Sequence, residues 1–293
     1  MSVPYNGLLL IDKPKGLSSF DVLRALKRQL HMKKMGHTGT LDPMATGLLV
    51  VCLGEATKLV QYLTADEKRY EGTIDFRYAT DTYDAEGQCT TQSDPTLIEQ
   101  LTQLQIRHCL QGMHGIQQQR PPIFSAIKVN GERLYERARR GDSVEVPLRT
   151  IDIKSLILLQ YQSPFARIDV TCSKGTYIRS LAFDIGQTLD LSSHLCELRR
   201  LSCGHLSIQD AHELDTIDQA SIQGQLIPLS MALPWPQVIV NEREVRTLTQ
   251  GRSLFHRSPP DKACAIDHQG NLIALLHRHE GALKVLRGFN TRT

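Results

Sequence analysis

Asp42 is the only acid in the segment Gly36-His-Thr-Gly-Thr-Leu-Asp-Pro-Met-Ala-Thr-Gly47, and its neighbours read as a device for holding it still. Three glycines and a proline within twelve residues cannot continue a helix or a regular strand, so the segment is a shaped loop. Pro43 biases Asp42 towards an extended backbone. His37, Thr38, Thr40 and Thr46 supply polar groups around it. A carboxylate fixed in this way can act as a nucleophile or base if a cation such as Arg179 keeps it ionised. It can also simply cap the turn at Pro43, and spacing alone leaves both readings open. Glycosidases need a pair of carboxylates, and no pattern selects a partner among Asp75, Asp81 and Asp84. Metal chemistry needs more ligands than His37 and Asp42 provide. No Gly-x-Ser-x-Gly elbow supports a serine hydrolase.

The surrounding elements follow from periodicity. Residues 7–12 form a short buried strand that ends in the turn signal Lys13-Pro14-Lys15-Gly16. Ser18 and Asp21 form an acidic capping box that opens a helix with Leu23, Leu26 and Leu30 on one side, ended by Gly36. The run Leu48 to Leu53 is a buried strand, residues 55–63 a short helix, and residues 68–78 a half-buried strand. Residues 81–87 form a turn, because their acids miss the EF-hand spacing. Asp94-Pro95 starts a helix carrying Leu97, Leu101 and Leu104. Residues 125–131 suggest a strand and turn, followed by a basic helix over 132–140. Residues 166–172 form a strand, and a helix starts near Thr176 with Ile178, Leu181, Ala182, Ile185 and Leu189 as its apolar stripe. Arg179 falls in its first turn, off that stripe. A cation gains nothing from a positive helix N-terminus, so an anionic partner is expected nearby. Prolines and the single tryptophan mark a boundary over 227–236, and the short apolar runs beyond it predict a small β-rich appendage.

Composition bounds the class. The 293 residues are 41% hydrophobic and 22% charged with net charge +3, as in a globular protein with a core. Arg24, Lys27, Arg28, Lys33 and Lys34 crowd before the loop, and Lys128, Arg133, Arg137, Arg139 and Arg140 form a second basic cluster. Each cluster suits either a solvated face or phosphate contact. Seven cysteines without a Cys-x-x-Cys pair argue for reduced thiols rather than a disulfide frame or zinc site. No apolar run approaches the ~20 residues a membrane span requires, and no secretion signal opens the chain, so the cytoplasm is expected.

The Asp42 segment and six further blocks then match a known family in order over about residues 7 to 205. The Asp42 segment is similar to the signature of the TruB-type tRNA pseudouridine synthases. So are Leu9 to Ser19, Leu53 to Lys58, Asp66 to Tyr70, Pro122 to Lys128 with Leu134 and Tyr135, Ser173 to Arg179, and His194 to Leu201. The resemblance implies isomerisation of the uridine at tRNA position 55, with no metal, redox step or small-molecule cofactor. It implies that Asp42 attacks the ribose or removes its 2′ proton, and that Arg179 pairs with it. Such a contact is expected to orient the acid and favour its ionised form. It implies that Tyr70 stacks on the flipped uracil and assists proton removal at C5. Tyr177 and Leu198 would line the base pocket, and His37 would enter the RNA loop as nucleotides leave their stack.

The implied fold is α/β (α+β): a mixed, largely antiparallel central sheet with flanking helices, plus a C-terminal β-rich PUA-like RNA-binding domain. The expected division is a catalytic domain over 1–230 and the small domain over 235–293. The partner is the T-stem-loop of tRNA, met by the basic clusters, and a monomer is expected. Two other readings remain: a non-enzymatic RNA binder or folding chaperone, and a related synthase acting on another RNA. The first needs none of Asp42, Tyr70 and Arg179. The second keeps the chemistry and changes the target.

Overall fold

The computed structural model describes residues 5–125, 128, 129, 132, 133, 140, 146–256 and 258–290. β1 (Gly7–Lys13) enters the centre of the protein, and Ser18 then caps the helix Ser19–Gln29. The Ser18 hydroxyl accepts from the Asp21 amide at 3.1 Å, and the Asp21 carboxylate accepts from the Ser18 amide at 3.1 Å, which completes the expected capping box. β2 (Met35–His37) and β3 (Thr46–Leu53) follow and pair antiparallel. Gly36 therefore does not end the helix, as its type suggested. The helix stops near Leu30, and Gly36 and His37 belong to a strand, so the shaped loop is shorter than the twelve-residue segment.

The continuous apolar run of β3 has a simple cause: both faces of the strand are buried. Leu48, Val50 and Cys52 pack with Leu8 and Leu10 on one side. Leu49, Val51 and Leu53 pack with Leu9, Ile11 and the helix residues Val22, Leu23 and Leu26 on the other. Each such side chain contributes about 1.5–3 kcal/mol of burial, so the floor under the loop is rigid.

β4 (Lys68–Asp75) is followed by the small pair β5 (Tyr78–Thr80) and β6 (Cys89–Gln92). Two helices, Pro95–Gln100 and Gln103–Gly112, stand where one was expected. Thr102 restarts the chain with its own capping box to Gln105, so the leucine spacing does not carry across. Leu101 is buried, but Leu97 and Leu104 are exposed, and Ile106, Cys109 and Leu110 supply the packed face instead.

β7 (Gly115–Gln119) closes the Gln-rich stretch. β8 (Lys128–Val129) and β9 (Glu132–Arg133) pair antiparallel, so the expected helix does not begin at 132, and the rest of that expectation lies outside the described residues. β10 (Arg149–Gln162), β11 (Phe165–Cys172), β12 (His194–Cys203), β13 (Leu206–Ser207) and β14 (His212–Glu213) complete the main sheet, with the helix Ile178–Thr188 between β11 and β12.

The described strands of this sheet run in the order β14-β1-β3-β12-β4-β11-β10-β7, with β2 beside β3 and β13 beside β12. Only β1–β14 and β3–β12 are parallel, so the sheet is mixed and largely antiparallel, as expected. Beyond Trp235 a second sheet forms from β15 (Gln237–Val240), β16 (Leu254–Phe255), β17 (Lys262–Asp267), β18 (Leu272–His279) and β19 (Ala282–Gly288). The helix Glu242–Thr249 covers one of its faces through Val245 and Leu248. Cys264, Ile266, Leu272, Leu275 and Phe289 turn the other way and share a core with Leu8, Leu10 and Leu48. This curled β sheet fits the PUA-like appendage read from the sequence.

Candidate active site

Asp42 sits between β2 and β3, and both of its neighbours are tied down. The Leu41 amide donates to the Ser19 hydroxyl at 2.8 Å, and that hydroxyl donates back to the Leu41 carbonyl at 3.2 Å. The Pro43 carbonyl accepts from the Gly16 amide at 2.7 Å and from Lys13 Nζ at 3.4 Å. Lys13 is fully buried, and burial pushes its ammonium down to about 8 despite the Asp42 charge nearby. The loop re-enters β3 at Gly47, whose φ of 97° lies in the left-handed region. An added Cβ there would stand 2.3 Å from the Arg200 carbonyl oxygen, so only glycine fits.

Arg179 reaches Asp42 from the start of the helix Ile178–Thr188. Its Nη2 donates to Asp42 Oδ1 at 3.3 Å, and its Nε lies 3.0 Å from Oδ2 in an ion-pair contact that does not align as a hydrogen bond. The same guanidinium meets Asp84 at 3.3 Å and donates to the carbonyls of Thr82 and Phe124, each at 3.1 Å. Arg179 is thus buried between two carboxylates and two carbonyls, which explains a cation at a helix N-terminus. Gln119 fixes the helix start: its side chain donates to the Tyr177 carbonyl at 3.0 Å and accepts from the Tyr177 amide at 2.8 Å.

Asp84 comes from the 81–87 turn. Tyr83 adopts a φ of 62° there, costly for a bulky residue, and its ring stacks on Phe183 with centroids 4.2 Å apart. The strained turn aims Asp84, 3% exposed, at Arg179, while the Thr82 hydroxyl and Glu86 amide donate to its Oδ1 at 2.6 and 3.0 Å.

The charge balance differs from expectation. Arg179 pulls the Asp42 carboxyl down, yet burial first and the Asp84 charge second push it above its ordinary value, and the upward effects win. Removal from water disfavours the carboxylate more than one shared guanidinium favours it. The Asp42 side chain still keeps 35% of its surface open, on the side a substrate would approach.

Tyr177, Tyr70 and Leu198 gather around this centre, and His37 stands apart from it on β2. Tyr177 caps the Arg179 helix, and burial raises its hydroxyl. Tyr70 and Leu198 share a cluster with Leu41, Met44 and Ala45 of the loop. Burial pushes the Tyr70 hydroxyl up to about 12. His37 stands on β2, where burial and then the Arg200 charge lower its pKa and favour the neutral ring. No described contact joins it to Asp42. The buried His37 Nδ1 and Arg179 Nε lack hydrogen-bond partners among the described residues. The unaligned Arg179 Nε beside the open side of Asp42 suits a site whose remaining partner is a ligand. A cavity of about 330 Å3 opens beside the loop, lined in part by Met44, Thr46, Leu198 and Lys15.

Sequence reasoning passed over Asp84 and Gln119. Asp84 lay in an acid-rich turn with no spacing to single it out, and Gln119 in a run of like residues. Only burial distinguishes them. Of the first basic cluster, Arg24, Arg28, Lys33 and Lys34 are exposed, with Arg24 paired to Asp21 and Lys34 to Glu55. The second cluster lies largely outside the described residues, and Arg140 there donates to Glu132 at 2.9 Å. Among the described residues, no group of three or more His, Cys, Asp or Glu is placed to hold a metal, and no helix is long and apolar enough to cross a membrane.

Comparison with known proteins gives a consistent result. The sequence profile of the TruB family pseudouridylate synthase (N terminal domain) matches residues 27–178. A tRNA pseudouridine synthase B from Clostridium tetani is 39% identical over 263 residues, covering 89% of this chain and 90% of the relative. One from Opitutus terrae is 42% identical over 232 residues, covering 78% and 95%. Two solved structures share the fold. An H/ACA RNP bound to a substrate RNA containing 2′-deoxyuridine is 22% identical with a TM-score of 0.71, covering 98% of this chain and 86% of that one. A Cbf5–Nop10–Gar1 complex is 24% identical with the same TM-score of 0.71, covering 97% and 85%.

Proposed function

From the premise that this chain belongs to the TruB family of pseudouridylate synthases, we propose that it isomerises the uridine at position 55, in the T-loop of tRNA, with Asp42 as its catalytic carboxylate. The observation that carries the reading is the contact between Asp42 and the buried Arg179, made across 137 residues of sequence at the open mouth of a closely tied loop. The reaction is an isomerisation and is balanced within the substrate. The C1′–N1 bond breaks, a C1′–C5 bond forms, and the C5 proton is lost while N1 gains one.

Asp42 adds to ribose C1′ or takes the 2′ proton, and uracil is released. Either route needs the carboxylate form, so the raised Asp42 pKa places the acid limit of activity above that of an ordinary aspartate. Arg179 orients the carboxylate by a charge-assisted contact. The uracil, flipped from its stack at a cost of a few kcal/mol, rests between Tyr70 and Leu198 and turns before rejoining through C5. Tyr70 assists removal of the C5 proton. Tyr177 lines the pocket beside Arg179, and His37 fills space in the RNA loop as the nucleotide leaves. Exposed Arg28 and Lys33 meet phosphates of the T-stem.

Residues 1–230 carry the catalysis, and residues 235–293 act as an RNA-binding appendage. Nine Lys/Arg against five Asp/Glu between residues 241 and 293 support that role. The enzyme works as a monomer in the cytoplasm. The test incubates the protein with an unmodified tRNA transcript and maps pseudouridine chemically. Product at position 55 is expected, and Asp42→Asn is expected to lose turnover while tRNA binding survives. Absence of product with folded wild-type protein in excess rejects the reading.

A further inference from the structure

Behind the Asp42 loop lies a second buried arginine. Arg200 stands on β12 opposite Tyr70 of β4 and beside Gly47 of β3. It is 1% exposed and ranks among the largest fully buried side chains. Its described partners are main-chain carbonyls, none a carboxylate. Nε donates to Leu48 at 2.7 Å, Nη2 to Gly39 at 3.1 Å, and Nη1 reaches Thr40 at 3.5 Å. Tyr70 stands directly opposite it across β4 and β12, where the guanidinium charge acts on the phenol. A buried cation without a counter-charge is costly, and carbonyl dipoles here take the place of water.

The positions of those carbonyls carry the argument. Gly39 and Thr40 precede Asp42, and Leu48 follows it, so one planar group ties both arms of the loop. The Arg200 backbone adds to the tie, because it leaves no room for a Cβ at Gly47. Only a fork with five donors in fixed directions can hold carbonyls on diverging strands together, which a lysine ammonium cannot do in the same geometry.

We propose that Arg200 is a positioning residue for the isomerisation: from its place on β12 opposite Tyr70 it holds the Asp42 loop in one rigid frame, fixing the separation between Asp42 and Tyr70, the two groups that face the flipped uracil. This rests on reading Asp42 and Tyr70 as the groups that act on the substrate. Arg200 itself touches no reacting atom. A loss of about an ångström in alignment costs on the order of 10²-fold in rate, whereas tRNA binding is spread over a wide surface.

The test compares wild type, Arg200→Lys and Arg200→Met for folding by thermal melt, for affinity towards an unmodified tRNA transcript, and for single-turnover rate. Expected is folded Arg200→Lys with affinity within about twofold of wild type and a rate lower by about tenfold or more, with Arg200→Met lower still. Combined with Tyr70→Phe, Arg200→Lys should reduce the rate by less than the product of the two single effects, since the two residues stand opposite each other in one frame. A wild-type rate in folded Arg200→Lys overturns the inference, because charge alone then suffices. So does a loss confined to tRNA affinity. If neither variant folds, Arg200 is a general folding determinant and the specific role is overturned. Wild type run alongside keeps the two ideas apart: no pseudouridine from wild type defeats the enzymatic reading, whereas an active wild type with an equally active variant defeats only the role of Arg200.

Discussion

The two sides of the Asp42 loop are held by different physics. At the front, Arg179 lies between Asp42 and Asp84, beside a strained turn. At the back, Arg200 rests in carbonyls and close backbone packing. The front is charged, partly open and incompletely satisfied, as a site awaiting a substrate should be. The back is closed, with the Arg200 guanidinium resting on main-chain carbonyls. Two buried arginines thus serve one carboxylate in different ways, one through its charge and the other through its shape.

Replacing the front cation should have the largest effect. Arg179→Met removes the guanidinium from between Asp42 and Asp84, so Asp42 loses the charge that favours its ionised form. A single-turnover rate lower by roughly 10²–10³-fold is expected, with tRNA affinity largely kept. A rate near wild type would show that the front needs no charge.

Disturbing the back at Gly47 should act on folding as well as rate. Gly47→Ala combines a left-handed φ with a Cβ 2.3 Å from a carbonyl oxygen and 2.7 Å from an amide nitrogen of Arg200. Denaturant unfolding should report a loss of more than about 1 kcal/mol. An unchanged midpoint would mean that β3 and β12 separate freely, contrary to a rigid back.

A finer test of the front is pH. The proposed mechanism uses Asp42 in its base form, and its raised pKa brings protonation in at a higher pH than for an ordinary aspartate. Asp84→Asn removes one of the charges that raises it. The acid limb of the rate profile should therefore move to lower pH, even if the plateau also falls through poorer placement of Arg179. A limb that stays in place would assign it to another group.

The smallest effect is expected far from both arginines. Arg28→Ala on the exposed side of the first helix should weaken tRNA binding a few-fold and reduce the salt dependence of affinity by about one unit of slope. The rate at saturating tRNA should not change. If affinity holds at every salt concentration, that helix face is only solvated.

Much of this was legible in one dimension. The capping box at Ser18, the doubly buried β3 and the shaped loop depend on near neighbours, and local rules describe them well. Arg179 was also legible, because a cation in a helix first turn is locally unfavourable and implies an anion elsewhere. The leucines at 97, 101 and 104 misled because Thr102 restarts the helix, which a periodic count does not register. Gly36 misled because a glycine that ends helices is equally at home in a short edge pairing such as β2.

By itself the sequence determined that one carboxylate is held in a glycine-rich loop that launches a buried strand, and its ordered blocks tied that loop to a family of RNA isomerases. Tertiary structure alone decided the electrostatics. Whether Arg179 or burial governs Asp42 depends on how much water the pocket excludes and on Asp84 arriving from another turn, and neither quantity is local in sequence. It likewise decided that the neighbours Arg199 and Arg200 lead different lives. Alternation along β12 sends Arg199 outward to Asp12 and Arg200 inward to the carbonyls behind Asp42. Which face of a strand becomes the interior is settled only when the sheet closes over it.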